Sequence, residues 1–164
     1  MSSFHVEQMP LSAAHRPRIE EIIKKVGVFN KEEIAVAVEL VDQCLAGGED
    51  YMIHVAVDDA TSQVIGYVCF GRRPFTDGAY DMYWIAVDPD SQQKGVGQQL
   101  LESAERVITN CGGRMILAET SSRSVYQNAQ EFYVKNRFQK VAEIKDFYSI
   151  GDALLIYQKL LIVN

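Results

Sequence analysis

The chain has 164 residues, 48% of them hydrophobic and 23% charged, which suits one globular domain with a sizeable core. A formal net charge of −6 argues against a nucleic-acid partner, which demands Lys and Arg patches, and favours the approach of a cationic one. The three cysteines, Cys44, Cys69 and Cys111, form no C-x-x-C pair, and their odd number points to a reducing compartment rather than a disulfide framework.

The start, MSSFHVEQMP, lacks the apolar core of a secretory signal. Apolar runs such as Ala153–Tyr157 and Leu160–Val163 are too short to span a bilayer, so a cytoplasmic location without membrane association is expected. No repeat or linker divides the chain, and residues 1–164 are read as a single domain.

In chain order, a short strand is expected around Phe4–Glu7 and a helix over Leu11–Val26, where Ile19, Ile22 and Ile23 recur at helical spacing until Gly27. Asn30 and Glu33 have the spacing of a capping box that opens a second helix, which ends at Gly47-Gly48. Met52–Val57, Gln63–Arg72 and Tyr80–Val87 read as three successive strands of a meander. Gly97–Asn110 is amphipathic, with Leu100, Leu101, Ala104, Val107 and Ile108 on one face. A short strand at Arg114–Ala118, a helix at Val125–Asn136 and strands at Phe138–Ile144 and Ala153–Leu160 complete a mixed α+β sheet with at least one parallel crossover.

The chemistry concentrates in WIAVDPDSQQKGVGQQLL. A strand ends at Val87, a polar turn follows, and Gly95, Val96 and Gly97 open a helix. The first turn of a helix offers unpaired N–H groups and the positive end of the peptide dipoles. Glycines let a phosphate approach the backbone, and Lys94 adds a point charge. The Walker A pattern is absent. The dinucleotide pattern G-x-G-x-x-G meets Leu100 where its third glycine belongs, although Glu119 sits at about the spacing its acidic residue would take. The pattern [Q/R]-x-x-G-x-[G/A] is matched by Gln92, Gly95 and Gly97.

This segment resembles motif A of the GNAT family of N-acetyltransferases, and the likeness runs from about Tyr80 to Leu160. Downstream, YQNAQEFYVKNRF is similar to that family's N-x-x-A-x-x-L-Y-x-x-x-G-F, which Ala129, Phe132, Tyr133 and Phe138 match or nearly match. Tyr126 stands where the family usually has Asn, and Arg137 where it usually has Gly.

The resemblance implies a GNAT-type fold: a mixed, mostly antiparallel central sheet flanked by helices, with a splayed parallel strand pair at the cofactor site. It implies acetyl-coenzyme A as co-substrate, no metal, and direct attack of an amine on the thioester. The pyrophosphate would be held by Gln92, Gln93, Lys94, Gly95, Val96, Gly97 and Gln98, and the pantetheine arm and acetyl carbonyl by the strand end Ile85, Ala86 and Val87. Tyr126 or Asn128 would take the place of the missing cofactor-contacting Asn. Tyr133 resembles the tyrosine that serves as general acid near the thioester sulfur.

The acceptor would be a small amine or a peptide N-terminus, and a homodimer is compatible with the family. Only about one lysine-type amine in 2,500 is neutral at pH 7, so an alkyl amine needs a base or a water chain to one. Glu119, at the end of its strand, resembles a glutamate of the ribosomal-protein N-terminal acetyltransferases and is the candidate base. Asp81 and Glu39 are poorer candidates for contact with a cationic acceptor. Tyr148, with Asp146 and Asp152 beside it, resembles the tyrosine-bearing loop that borders the acceptor. A non-catalytic acetyl-coenzyme A sensor is the competing reading, and the retention of Tyr133 argues against it.

Overall fold

The structure is a computed structural model that describes residues 3–8, 11–92 and 94–161. Its elements are β1 (Phe4–Glu7), α1 (Arg16–Val26), α2 (Lys31–Leu45), β2 (Met52–Asp58), β3 (Val64–Arg72), β4 (Ala79–Val87), α3 (Val96–Asn110), β5 (Met115–Ser121), α4 (Gln127–Lys135), β6 (Gln139–Ser149) and β7 (Asp152–Leu160). Single 3₁₀ turns occupy Ala13–His15, Pro89–Ser91 and Ser124–Tyr126. The strands form one sheet in the order β1-β2-β3-β4-β5-β7-β6. β1 with β2, β2 with β3, β5 with β7 and β6 with β7 are antiparallel, while β4 and β5 are parallel. The parallel register joins Ala79–Met82 to Met115–Ala118, and the last five residues of β4, Tyr83–Val87, lie beyond it. This is the mixed, mostly antiparallel α+β sheet with a splayed parallel pair that the resemblance implies. Among the described residues, no helix is long and apolar enough to cross a membrane.

The chain packs as two compact units, Met1–Gly71 with Trp84–Val107 and Arg72–Tyr83 with Ile108–Asn164. In the first, α1 supplies Ile19, Ile22 and Ile23 and α2 supplies Ala37, Leu40, Val41 and Cys44 to a core shared with Ile53, Val55, Val57, Tyr67 and Cys69. The expected capping box is formed: Glu33 N donates to Asn30 Oδ1 (2.9 Å) and Asn30 N to Glu33 Oε2 (2.7 Å). α3 begins at Val96, one residue ahead of expectation, and buries Leu100, Leu101 and Ala104. At Gly66 a Cβ would stand 3.2 Å from side-chain atoms of both Val96 and Leu100, so the glycine sets how near α3 lies to β3. Ser103 on the same helix is also buried, with its Oγ 2.8 Å from His54 Nδ1. Burial and the Arg106 charge push His54 down to about 4, so it is a neutral core residue.

In the second unit two strands run further than their composition suggests. β5 continues through Glu119, Thr120 and Ser121 because these residues pair with Ile156, Leu155 and Leu154 of β7. β6 continues to Ser149 along β7, with a bulge between Ile144 and Ser149 where Asp146 adopts φ 54°.

α4 ends in a Schellman turn: Phe138 N donates to Tyr133 O (2.9 Å) and Arg137 N to Val134 O (3.1 Å). Arg137 occupies the left-handed position, φ 68°, that glycine normally fills. That conformation costs a residue bearing a Cβ about 1–2 kcal/mol. Part of this is offset in a glycine variant by the greater entropy of its unfolded chain. Arg137→Gly is therefore expected to stabilise the fold by about 0.5–1 kcal/mol, read as a higher midpoint in urea unfolding at unchanged slope.

Candidate active site

In the first unit, β4 ends at Val87 and Asp88 turns the chain. Asp88 is buried and held on all sides. Its Oδ1 accepts from Lys25 Nζ (2.7 Å) and from Asp90 N (3.0 Å), and its Oδ2 accepts from Arg18. Its own amide donates to Ile65 O (2.8 Å). Burial acts to raise the Asp88 carboxyl, but Lys25, the Asp90 amide and Arg18 outweigh it, so the group sits below its ordinary value. Arg18 and Lys25, seven residues apart on one face of α1, thus tie the turn down. The sequence hid this network, because an i, i+7 pair of basic residues on a helix otherwise reads as a solvated face.

Beyond this anchor, Gln92, Lys94 and Gly95 are exposed, and Gln93 lies outside the described residues. Gly95 has φ 80° with nothing within 4 Å of the place a Cβ would take, so the backbone there is both left-handed and open. Its carbonyl accepts the first intrahelical bond, from Gln99 N at 3.0 Å. The amides of Val96, Gly97 and Gln98 therefore precede the helical ladder. Val96 is buried and fixes the start of α3, while the Gln98 side chain bonds to Glu102 (2.9 Å). Open backbone, amides that precede the helical ladder, the positive helix end and Lys94 together have the chemistry of an anion cradle. Ile85 and Val87 are half-buried and Ala86 is buried, immediately before that cradle.

In the second unit, Tyr133 is buried on α4 against Phe138 (5.5 Å between ring centroids), Tyr157 (5.3 Å) and Phe132 (6.0 Å). Burial, reinforced by Tyr157, pushes its phenol up to about 12, so it stays protonated across the physiological range. Tyr126 closes the 3₁₀ turn before α4 and is half-buried, and Asn128 is exposed in the first turn of α4.

Glu119 lies within β5 rather than past its end, opposite Ile156, with its Oε1 3.7 Å from Arg73 Nη2. Tyr148 and Asp146 also lie within a strand, β6, and not in a loop. The register of β6 against β7 is irregular there, between Ile144 and Ser149. Tyr148 is half-exposed and meets Phe147 edge to face at 5.0 Å. Asp146 Oδ1 accepts from Gly151 N (2.7 Å), which closes the β6–β7 turn. Asp152 is buried and accepts from Ser121 Oγ at 2.5 Å. Glu39 is on the outside of α2 and accepts from Gln43 (3.1 Å).

The sequence matches the description "Acetyltransferase (GNAT) domain" over residues 49–140, more than half of the chain. None of the proteins with curated descriptions matches it. Among solved structures, a GNAT-family protein from Desulfovibrio desulfuricans is 34% identical and superposes with a TM-score of 0.89 over 96% of this chain and 99% of that one. PaiA N-acetyltransferase from Thermoplasma acidophilum, in complex with coenzyme A, is 18% identical, with a TM-score of 0.74 over 97% of this chain and 99% of that one. An aminoglycoside 6'-N-acetyltransferase, also complexed with coenzyme A, is 12% identical, with a TM-score of 0.77 over 96% and 97%. The last two share the fold. The first, together with the matched domain and the strand, glycine turn and helix described above, makes the chain a member of the GNAT family of acetyltransferases.

Proposed function

We propose that the chain moves an acetyl group from acetyl-coenzyme A to a primary amine, either a small amine or a peptide N-terminus, by direct attack of the amine on the thioester. The observation that carries this reading is the cradle at Gly95: left-handed, open backbone at the mouth of a helix whose first amides precede its hydrogen-bond ladder. Lys94 and the amides of Val96, Gly97 and Gln98 hold the pyrophosphate, with Gln92 before them; Gln93, which the family resemblance adds to this set, lies outside the described residues. The main chain of Ile85, Ala86 and Val87 aligns the arm and polarises the carbonyl. Tyr126 or Asn128 supplies the side-chain contact that an Asn makes elsewhere in the family.

Tyr133 donates a hydrogen bond to the departing thiolate, and Glu119 takes the proton of the ammonium group. Tyr148 and Asp146 border the acceptor. The supporting argument for Glu119 is its exposure: the carboxylate stands at the surface of β5, 3.7 Å from the Arg73 guanidinium.

The test is thiol release from acetyl-coenzyme A across small amines, peptides with free N-termini and aminoglycosides. Release with one acceptor class names the substrate. Saturable coenzyme A binding without release from any of them favours the sensor reading, and absence of binding removes the proposal.

Glu119→Gln adds a sharper expectation. An alkyl amine near pKa 10.4 depends on a base far more than an α-amine near 8. The variant is expected to lose roughly 100-fold in kcat/KM with an alkyl amine and much less with a peptide N-terminus. Equal losses for both acceptors would count against Glu119 as the base.

A further inference from the structure

Arg73 leaves β3 at the entry to the turn before β4. Its amide donates to Ala79 O (2.9 Å) and its carbonyl accepts from Thr76 Oγ1 (2.8 Å), so its backbone is fixed at the base of the hairpin. From there its guanidinium reaches two strands. Nη1 is 3.4 Å from Asp81 Oδ1 on β4, and Nη2 is 3.7 Å from Glu119 Oε1 on β5.

The parallel register explains the meeting. Asp81 stands beside Leu117, so Glu119, two residues further along β5, is its diagonal neighbour on the same face. Next to them β7 contributes Gln158 and Ile156, neither of which titrates. The charges that act on Asp81 are Arg73 from the turn and Glu119 from β5.

We propose that Arg73 is a positioning residue, which bridges the Asp81 and Glu119 carboxylates across two strands and holds them as one anionic pair facing the acceptor amine. The proposal rests on the reading of Glu119 as the base. Two carboxylates that are diagonal neighbours on one face repel each other, and removing the cation between them makes protonation of Asp81 easier. Burial already holds the Asp81 carboxyl above its ordinary value, with Arg73 opposing and Glu119 adding to the rise. Arginine suits the task because its charge does not titrate and its planar fork reaches two acceptors at once.

The experiment is a carbon-13 NMR titration of the side-chain carboxyls in the full chain, assigned with Asp81→Asn and Glu119→Gln. Arg73→Gln is expected to raise the titration midpoint of Asp81 by about one pH unit, and Arg73→Lys by less. The acidic limb of kcat/KM, measured with the best acceptor from the thiol-release panel, is expected to move upward with it. An unmoved midpoint in Arg73→Gln overturns the clamp. A midpoint that moves while the acidic limb stays in place overturns its role in the reaction. Glu119→Gln turning over at the wild-type rate would instead remove Glu119 as the base, and the titration still decides the clamp by itself.

Discussion

Asp88→Ala is expected to destabilise the protein by about 3 kcal/mol, a fall in Tm of about 6–12 °C for a chain of this size. The carboxylate is buried, and its removal leaves Arg18 and Lys25 without the partner that brings them to the turn. The loss lies at the low end for a broken buried pair, because Arg18 keeps Glu21 and the Val64 carbonyl and Lys25 keeps Asp90.

The same group predicts a pH dependence. Its folded-state carboxyl is lowered, so its stabilisation is fully present above the unfolded aspartate value near 3.9 and is lost as pH falls through the folded value. Melting curves of wild type and variant are expected to stay apart by a constant margin from about pH 5 to 8 and to converge below about pH 4. A gap that persists into acid would mean that the anchor is not ionic. The variant is also expected to raise KM for acetyl-coenzyme A, because the anchored turn leads directly into the Gly95 cradle.

Tyr133→Phe is expected to lower kcat by a factor of about 10 to 150 with little change in KM, the effect of one hydrogen bond to a charged group. The size follows from the phenol's environment. A group pushed up to about 12 does not hand its proton to a thiolate whose conjugate acid lies near 8.5, but it donates a strong hydrogen bond to it. Two corollaries separate this from full proton transfer. The alkaline side of the rate profile carries no Tyr133 limb below about pH 10. The phenylalanine ring keeps its places against Phe138 and Tyr157, so Tm changes little. A variant with wild-type kcat would make Tyr133 a core aromatic and nothing more.

Most of the architecture was legible in the sequence because local signals and tertiary pairing agree there. Asn30 and Glu33 announce their helix by spacing, and the glycines of the Gln92–Gly97 turn announce the cradle. The readable signal fades where polar residues are decided by distant partners. Glu119, Thr120 and Ser121 look like the end of a strand, yet pairing with β7 some thirty-five residues away extends β5 through them. Tyr148 and Asp146 have turn-like neighbours, yet they belong to a bulged strand. The anchor at Asp88 and the Arg73 bridge were invisible for the same reason: each joins groups that only the folded register brings within reach.

The bulge in β6 also bears on how the protein behaves in company. β6 is an edge strand of the sheet, and Val141, Ile144, Phe147 and Tyr148 are exposed along it. A long, flat strand with such side chains is a template on which other chains stack into fibrils. The extra residues between Ile144 and Ser149, with Asp146 turned to φ 54°, break the even spacing of main-chain donors and acceptors that such stacking requires. The irregularity that disguised Tyr148 as a loop residue is thereby a guard against aggregation, one that lets the strand show aromatic side chains to solvent.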